Sequence, residues 1–251
     1  MQLIDQYTDN IIRIINKIKD NQSDNIEKAA EIMAEKIKNR HMIHIVGTGG
    51  HSSMPVLEVL CRMGGPANIN PVYDPGITGS HGLYKAIYGS EVIYGYAETI
   101  IKTNRFKKED LLVITSAFGA NVVTIELAMQ AKKMGMYIIA ITSPNFSQSV
   151  STNHPVRHAN KKNLYEIADL VINTYVPPGD CVVELEGLEG KIMQVSSIVQ
   201  IFTINNLVGY MYAKLLDKGI EPERWISALA DGADKRNKEL YKKYGGIVKS
   251  L

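Results

Sequence analysis

The sequence predicts an α/β fold built on a doubly wound parallel sheet. Short apolar runs alternate with amphipathic stretches from residue 42 onward. The runs are apolar on both faces, as buried parallel strands are. Several of them end in a turn of Gly, Ser or Thr that leads straight into a helix. A chain of 251 residues buries a large core, so a single domain is expected over 1–251. Within it we place an N-terminal helical segment at 1–40, an α/β core at 41–220 and a C-terminal extension at 221–251.

The chain starts helical. Leu3, Tyr7, Ile11, Ile14, Ile15 and Ile18 form one apolar stripe, and Ile26, Ala29, Ala30, Met33 and Ile37 form another. The polar break at 21–24 separates them, so N-terminal helices in the plural are expected. Stripes this long need cover from the sheet or from another subunit. Strands are expected at 42–46, 111–115, 137–142 and 169–175. Helices are expected at 53–63, 91–103 and 121–134, the last capped by Asn121 and stopped by Gly135. The Pro-, Gly- and Asn-rich stretch 68–82 and the stretch 143–163 read as irregular loops of the kind that carry function. Residues 192–216 are apolar nearly all round and read as a central helix stopped by Gly219. A charged helix at 234–244 precedes Gly245-Gly246.

Composition excludes several functions. Apolar content of 45% with 22% charge is ordinary for a globular protein. A net charge of +2 makes no case for nucleic acid or an acidic membrane. No apolar stretch is long and uninterrupted enough for a membrane span. Two cysteines and no signal peptide point to reduced thiols in the cytoplasm.

The chemistry concentrates where strands end. Gly47-Thr48-Gly49-Gly50-His51-Ser52-Ser53 joins the first expected strand to a helix. Glycines let the backbone approach a ligand, free amides attract an anion, and Ser52 and Ser53 supply hydroxyls. Phosphate is the natural guest, although a plain tight turn also fits. No third glycine completes a dinucleotide fingerprint and no Gly-Lys-Ser/Thr closes a Walker loop. Ser116-Ala117-Phe118-Gly119-Ala120-Asn121 repeats the arrangement after the second strand, and Thr142-Ser143 follows the third.

With these stretches in view, the chain resembles the sugar isomerase (SIS) domain family, and within it a poorly characterised group of single-domain proteins. The resemblance rests on Gly50 to Met54, Val72 to Gly76, Asn163 to Asp169, Pro177 to Asp180 and Asp231 to Asp234. It implies a three-layer doubly wound sandwich around a five-stranded parallel sheet, assembled as a homodimer or homotetramer around a phosphosugar. Gly49, Gly50, His51, Ser52, Ser53, Ser116, Gly119, Asn121 and Ser143 are then the expected phosphate and sugar contacts. His158 and Lys162 would cover them, matching a His-x-x-Gly-Lys segment in which Lys161 replaces the glycine. Phe118 stands where the family's second loop has a serine, which removes one hydroxyl. Leu57 and Cys61 occupy the positions of a zinc site found in phosphoheptose isomerases, so neither metal nor cofactor is expected.

Aldose–ketose interconversion needs a base that moves a proton between adjacent carbons and an acid that opens the ring. Glu58, one turn past Ser53, is the expected base, and His81 serves ring opening. Glu91 and Glu98 read as surface carboxylates. Asp180 reads as a turn-fixing residue. A sugar-phosphate isomerase is the leading expectation. A non-catalytic sugar-phosphate sensor is the alternative, and an etherase using Glu58 with Glu91 is a third.

Overall fold

The computed structural model describes residues 2–251. Strands β1 (Ile43–Gly47), β2 (Ile69–Val72), β3 (Leu111–Thr115), β4 (Tyr137–Thr142) and β5 (Leu170–Asn173) form one sheet in the order β2-β1-β3-β4-β5. Every neighbouring pair is parallel. Connections run one way from β1 to β2 and the other way from β3 onward, so the switch point lies between β1 and β3. Crevices at such points receive ligands beyond the carboxyl ends of the strands.

Alternation along the strands builds two cores. Ile43, Ile45, Leu111, Val113, Ile139 and Ile141 face helices α1 (Leu3–Lys38), α2 (Met54–Val59) and α9 (Ser196–Asp217). Val46, Leu112, Ile114, Ile138 and Ala140 face α5 (Tyr96–Thr103), α6 (Val122–Met134) and α8 (Leu164–Ile167). Short helices α3 (Pro75–Thr78), α4 (Leu83–Tyr88) and α7 (Pro144–Ser149) sit in the loops, and α10 (Ala233–Tyr244) closes the chain. The three-layer sandwich is as expected.

Three expectations need correction. The N-terminal helices are one continuous helix, because the polar residues at 21–24 find partners along it. Gln22 is buried and bonds the Tyr175 hydroxyl and the Asn173 amide, while Asn25 donates to the Val171 carbonyl. The break therefore docks α1 across the edge strand β5. The supposedly irregular 68–82 contains β2, whose Pro71 is tolerated because the strand lies at the sheet's other edge. The expected helix at 192–216 begins at Ser196, since Lys191–Gln194 is strand β7, paired with β6 (Cys181–Glu184).

The C-terminal residues cover the β2 edge. The Lys249 amide donates to Asn70 Oδ1 at 3.3 Å and the Ser250 hydroxyl to the Pro71 carbonyl at 2.5 Å. Trp225, Leu240, Tyr244 and Val248 enclose Ala67 in a third apolar cluster. A partner-seeking edge is thereby blocked.

At the amino ends of the strands Asp110 holds β1 to β3. It accepts from the Met42 amide at 2.9 Å, the Lys107 amide at 2.9 Å and His44 Nε2 at 3.0 Å, and Asn70 Nδ2 donates to His44 Nδ1 at 2.9 Å. Burial alone would raise the Asp110 pKa, but the His44 bond and the two amides hold it below the ordinary value. Asp110→Ala strands one buried and two part-buried donors, and we expect a loss of about 2 kcal/mol or more in urea unfolding.

Candidate functional site

The β1–α2 turn is fixed by a close approach. A Cβ on Gly47 would stand 2.0 Å from the Ser52 carbonyl oxygen, so only glycine fits there. That carbonyl accepts from the Thr115 hydroxyl at 2.5 Å, and Ser52 Oγ accepts from the Ala117 amide at 3.1 Å. The first turn is thus stitched to the end of β3. Ser53 Oγ donates to the Gly50 carbonyl at 2.8 Å. Among the described residues, the amides of Gly50, His51 and Ser52 find no hydrogen-bond partner, and neither does that of Phe118. Three successive free amides in one turn are donors that an anion can use.

The second loop is equally tied. Ser116 Oγ accepts from the Gly119 amide at 3.2 Å. Gly119 has φ +52°, and a Cβ on it would meet Thr142 Oγ1 at 2.8 Å and Leu164 Cβ at 2.9 Å. Asn121 caps α6 through the Thr124 amide at 2.9 Å, as expected. Ser143 Oγ donates to the Val176 carbonyl at 2.7 Å. Ser52, Ser116, Ser143 and Asn121 are buried, and their observed bonds hold the loops in place. Ser52 and Ser116 act only as acceptors, which leaves their hydroxyl protons without an acceptor. Phe118 is half-buried beside Phe146, with ring centroids 6.0 Å apart.

The loop at 143–163 is pinned over this end by a buried cation. Arg157 donates to the carbonyls of Ser147, Val150 and Lys161 and to Asn163 Oδ1, and among the described residues it forms no ion pair. Its segment pairs with Asn121, and the His158 amide donates to the Ala120 carbonyl at 3.3 Å. His158 itself lies against the Tyr94 ring, while Lys162 is exposed. A guanidinium matched only by neutral oxygens leaves a positive field at the loops.

The expected acid–base residues lie on α2 and in the turn between α3 and α4. Glu58 is bound to Arg62 at 3.6 Å and to Asn205 of α9 at 3.4 Å. His81 is exposed in the turn between α3 and α4. Glu98 is a surface carboxylate paired with Lys102, as its spacing suggests. Asp180 fixes the entry to α9, accepting from the Val195 and Ser196 amides and the Ser196 hydroxyl.

Glu91 is the correction. Expected on the surface, it is only 3% exposed. The reason is that Gly95, at φ +85°, starts α5 at Tyr96, and Ser90–Val92 becomes a separate 3₁₀ turn folded against α6. Glu91 Oε2 accepts from Asn121 Nδ2 at 2.7 Å, but buried Oε1 has no partner. Burial pushes its carboxyl up to about 7, with the Asn121 bond opposing. Behind Asn121 the chain of bonds runs through Thr124 to Thr48, whose hydroxyls are 2.5 Å apart. His51 Nε2 is likewise buried and unpartnered, and burial lowers its pKa against the nearby Asp180 charge. Sequence periodicity held no signal for this cluster, because Glu91 lies outside any regular helix.

A cavity of about 910 Å³ opens at the opposite end of the strands, lined by His41, His44, Asn104, Asp110 and Tyr244. Its buried polar groups are satisfied internally, since both His44 nitrogens and both Asp110 oxygens are engaged. The unsatisfied groups lie at the carboxyl end.

Comparison with known proteins gives the chain a family and agrees with the fold. The SIS domain profile matches residues 6–143, and the chain belongs to that family. A UPF0309 protein of Oceanobacillus iheyensis is 31% identical over 97% of both chains. Another from Shouchella clausii is 30% identical, also over 97% of both. Among solved structures, phosphoheptose isomerase from Neisseria gonorrhoeae superposes with a TM-score of 0.56 at 15% identity, covering 84% of this chain and 97% of that one. The phosphoheptose isomerase of Francisella tularensis gives 0.54 at 14% identity over 84% and 96%. These structures share the fold. Among the described residues, no helix is long and apolar enough to cross a membrane.

The Glu91 environment sets a pH dependence. The folded chain holds this proton to about pH 7, whereas a free Glu loses it near 4.5. Stability therefore falls as pH rises through that window, by up to about 3 kcal/mol. Glu91→Gln lacks this penalty. It should melt above the parent protein at pH 8, with the gap closing by pH 4, in calorimetric scans across that range.

Proposed function

We propose that this chain binds a sugar phosphate at the carboxyl ends of β1, β3 and β4 and interconverts its aldose and ketose forms. The phosphate sits on the amides of Gly50, His51 and Ser52, with the Ser52 and Ser116 hydroxyls as further donors. The observation that carries this reading is the run of three unpaired amides at the sheet's switch point. Buried Arg157, matched by neutral oxygens alone, adds a favourable field for a dianion. Family membership supports the ligand class. The setting proposed is the cytoplasm, as a homodimer or homotetramer, with Leu3, Ile4 and Ile12 exposed on α1 as apolar surface for a second copy. His158 and Lys162 belong to the loop that covers the bound sugar.

One observation favours a second reading. Phe118 offers no hydroxyl to the phosphate, and a sensor needs binding without turnover. Melting curves in the presence of five- to eight-carbon sugar phosphates test the binding. At least one should raise the melting temperature, and more than inorganic phosphate does. No rise with any of them removes both readings. Ser116→Ala should weaken the binding constant by about tenfold, the worth of one hydrogen bond to a charged group.

A further inference from the structure

We propose that Glu91 is the catalytic residue that carries the proton between the two sugar carbons, with His51 holding the sugar oxygens opposite it. The proposal rests on the isomerase reading above and names the residue that performs its chemistry.

The geometry argues for it in three ways. First, Glu91 is buried at the switch point with one carboxyl oxygen anchored and the other free. Asn121 holds Oε2 at 2.7 Å, and Oε1 has no partner. A buried carboxyl with an empty acceptor is costly to keep unless something occupies it. Second, the free oxygen borders the anion-binding turn. The space where a side chain on Gly49 would begin lies 3.8 Å from Glu91 Oε1 and 3.9 Å from His51 Cε1. The carboxyl and the imidazole therefore approach Gly49 from the side where its missing side chain would be. Third, His51 Nε2 is also buried and unpartnered. Two side chains with unpartnered polar atoms meeting beside Gly49, next to three free amides, match a ligand that carries a phosphate and adjacent oxygens.

Burial that lifts the Glu91 carboxyl to about 7 also suits a group that must both take and return a proton near neutrality. Glu58, by contrast, has its carboxylate engaged by Arg62 and Asn205.

The Glu91 carboxylate removes the hydrogen from the carbon beside the carbonyl. The C–H electron pair becomes the C=C bond of a cis-enediolate, and the carbonyl π pair moves to its oxygen. The proton of the neighbouring hydroxyl passes to that oxygen, both oxygens being held by His51 Nε2. The new carbonyl forms as the enediolate collapses, and the other carbon takes its proton back from Glu91. One proton has moved between carbons and one between oxygens, and the carboxylate is restored with no redox change.

The test is hydrogen exchange in D₂O, followed by proton NMR, on the full chain with the same panel of sugar phosphates. The parent protein should incorporate deuterium beside the carbonyl. Glu91→Gln should keep the ligand-induced rise in melting temperature while exchange falls about 100-fold or more. Glu91→Asp, which keeps the carboxyl but draws it back by one methylene, should exchange faster than Glu91→Gln and at least about tenfold slower than the parent. Glu98→Gln, a change at a surface ion pair, should exchange as the parent does. Exchange in Glu91→Gln within about tenfold of the parent overturns the proposal and leaves the isomerase reading standing. Should Glu91→Gln fail to fold, parent-like exchange in Glu91→Asp overturns it instead. Binding without any exchange in the parent overturns it and leaves a sensor. A panel that produces no shift in melting temperature sinks the binding reading and this proposal together.

Discussion

The site depends on one close approach. The Ser52 carbonyl occupies the space that any side chain on Gly47 would fill, and the Thr115 hydroxyl fastens it there. With the turn drawn against the end of β3, Ser52 Oγ reaches the Ala117 amide and the two loops become one rigid unit. The same contraction leaves Gly50, His51 and Ser52 with amides that find no partner among the described residues. Rigid, unsatisfied and electropositive donors are what a preformed anion site requires.

A second consequence follows from the rigidity of the loop at 116–121. Asn121 caps α6 with its oxygen and holds Glu91 with its amide, so the helix that packs on the sheet also positions the buried carboxyl. The cap links a core element to a buried carboxyl that forms no ion pair among the described residues. Arg157 works in the opposite sense, as a buried cation held by carbonyls. An acid that prefers its neutral form and a fixed cation stand near the same loops, so the local field favours an incoming anion over a resident carboxylate.

Much of this was legible in the sequence. Four of the five sheet strands announced themselves as apolar runs, and Asn121, Gly135 and Gly219 marked helix ends that the structure places as expected. The SIS resemblance supplied the sheet and its layers. What periodicity could not give was anything decided by tertiary partners. The polar break at 21–24 reads as a helix end until Tyr175 and Asn173 are available to bond Gln22. Strand β2 carries Asn70 and Pro71, which look like loop residues until the C-terminal segment covers them. Glu91 lies two turns before Glu98 in sequence, a spacing that puts both on one helical face. The break at Gly95 separates them, burying one and exposing the other. Candidate ligands on the glycine turn were visible from composition, whereas the roles of Ser52 and Ser116 as loop ties needed coordinates.

The central claim is that the amides of the first turn hold an anion. Amide-resolved NMR of the labelled protein during titration with inorganic phosphate tests it most directly. The account predicts the largest and saturable shifts at Gly50, His51, Ser52 and Phe118. Shifts confined to the cavity around His41 and Tyr244, or none at the glycine turn, would contradict it.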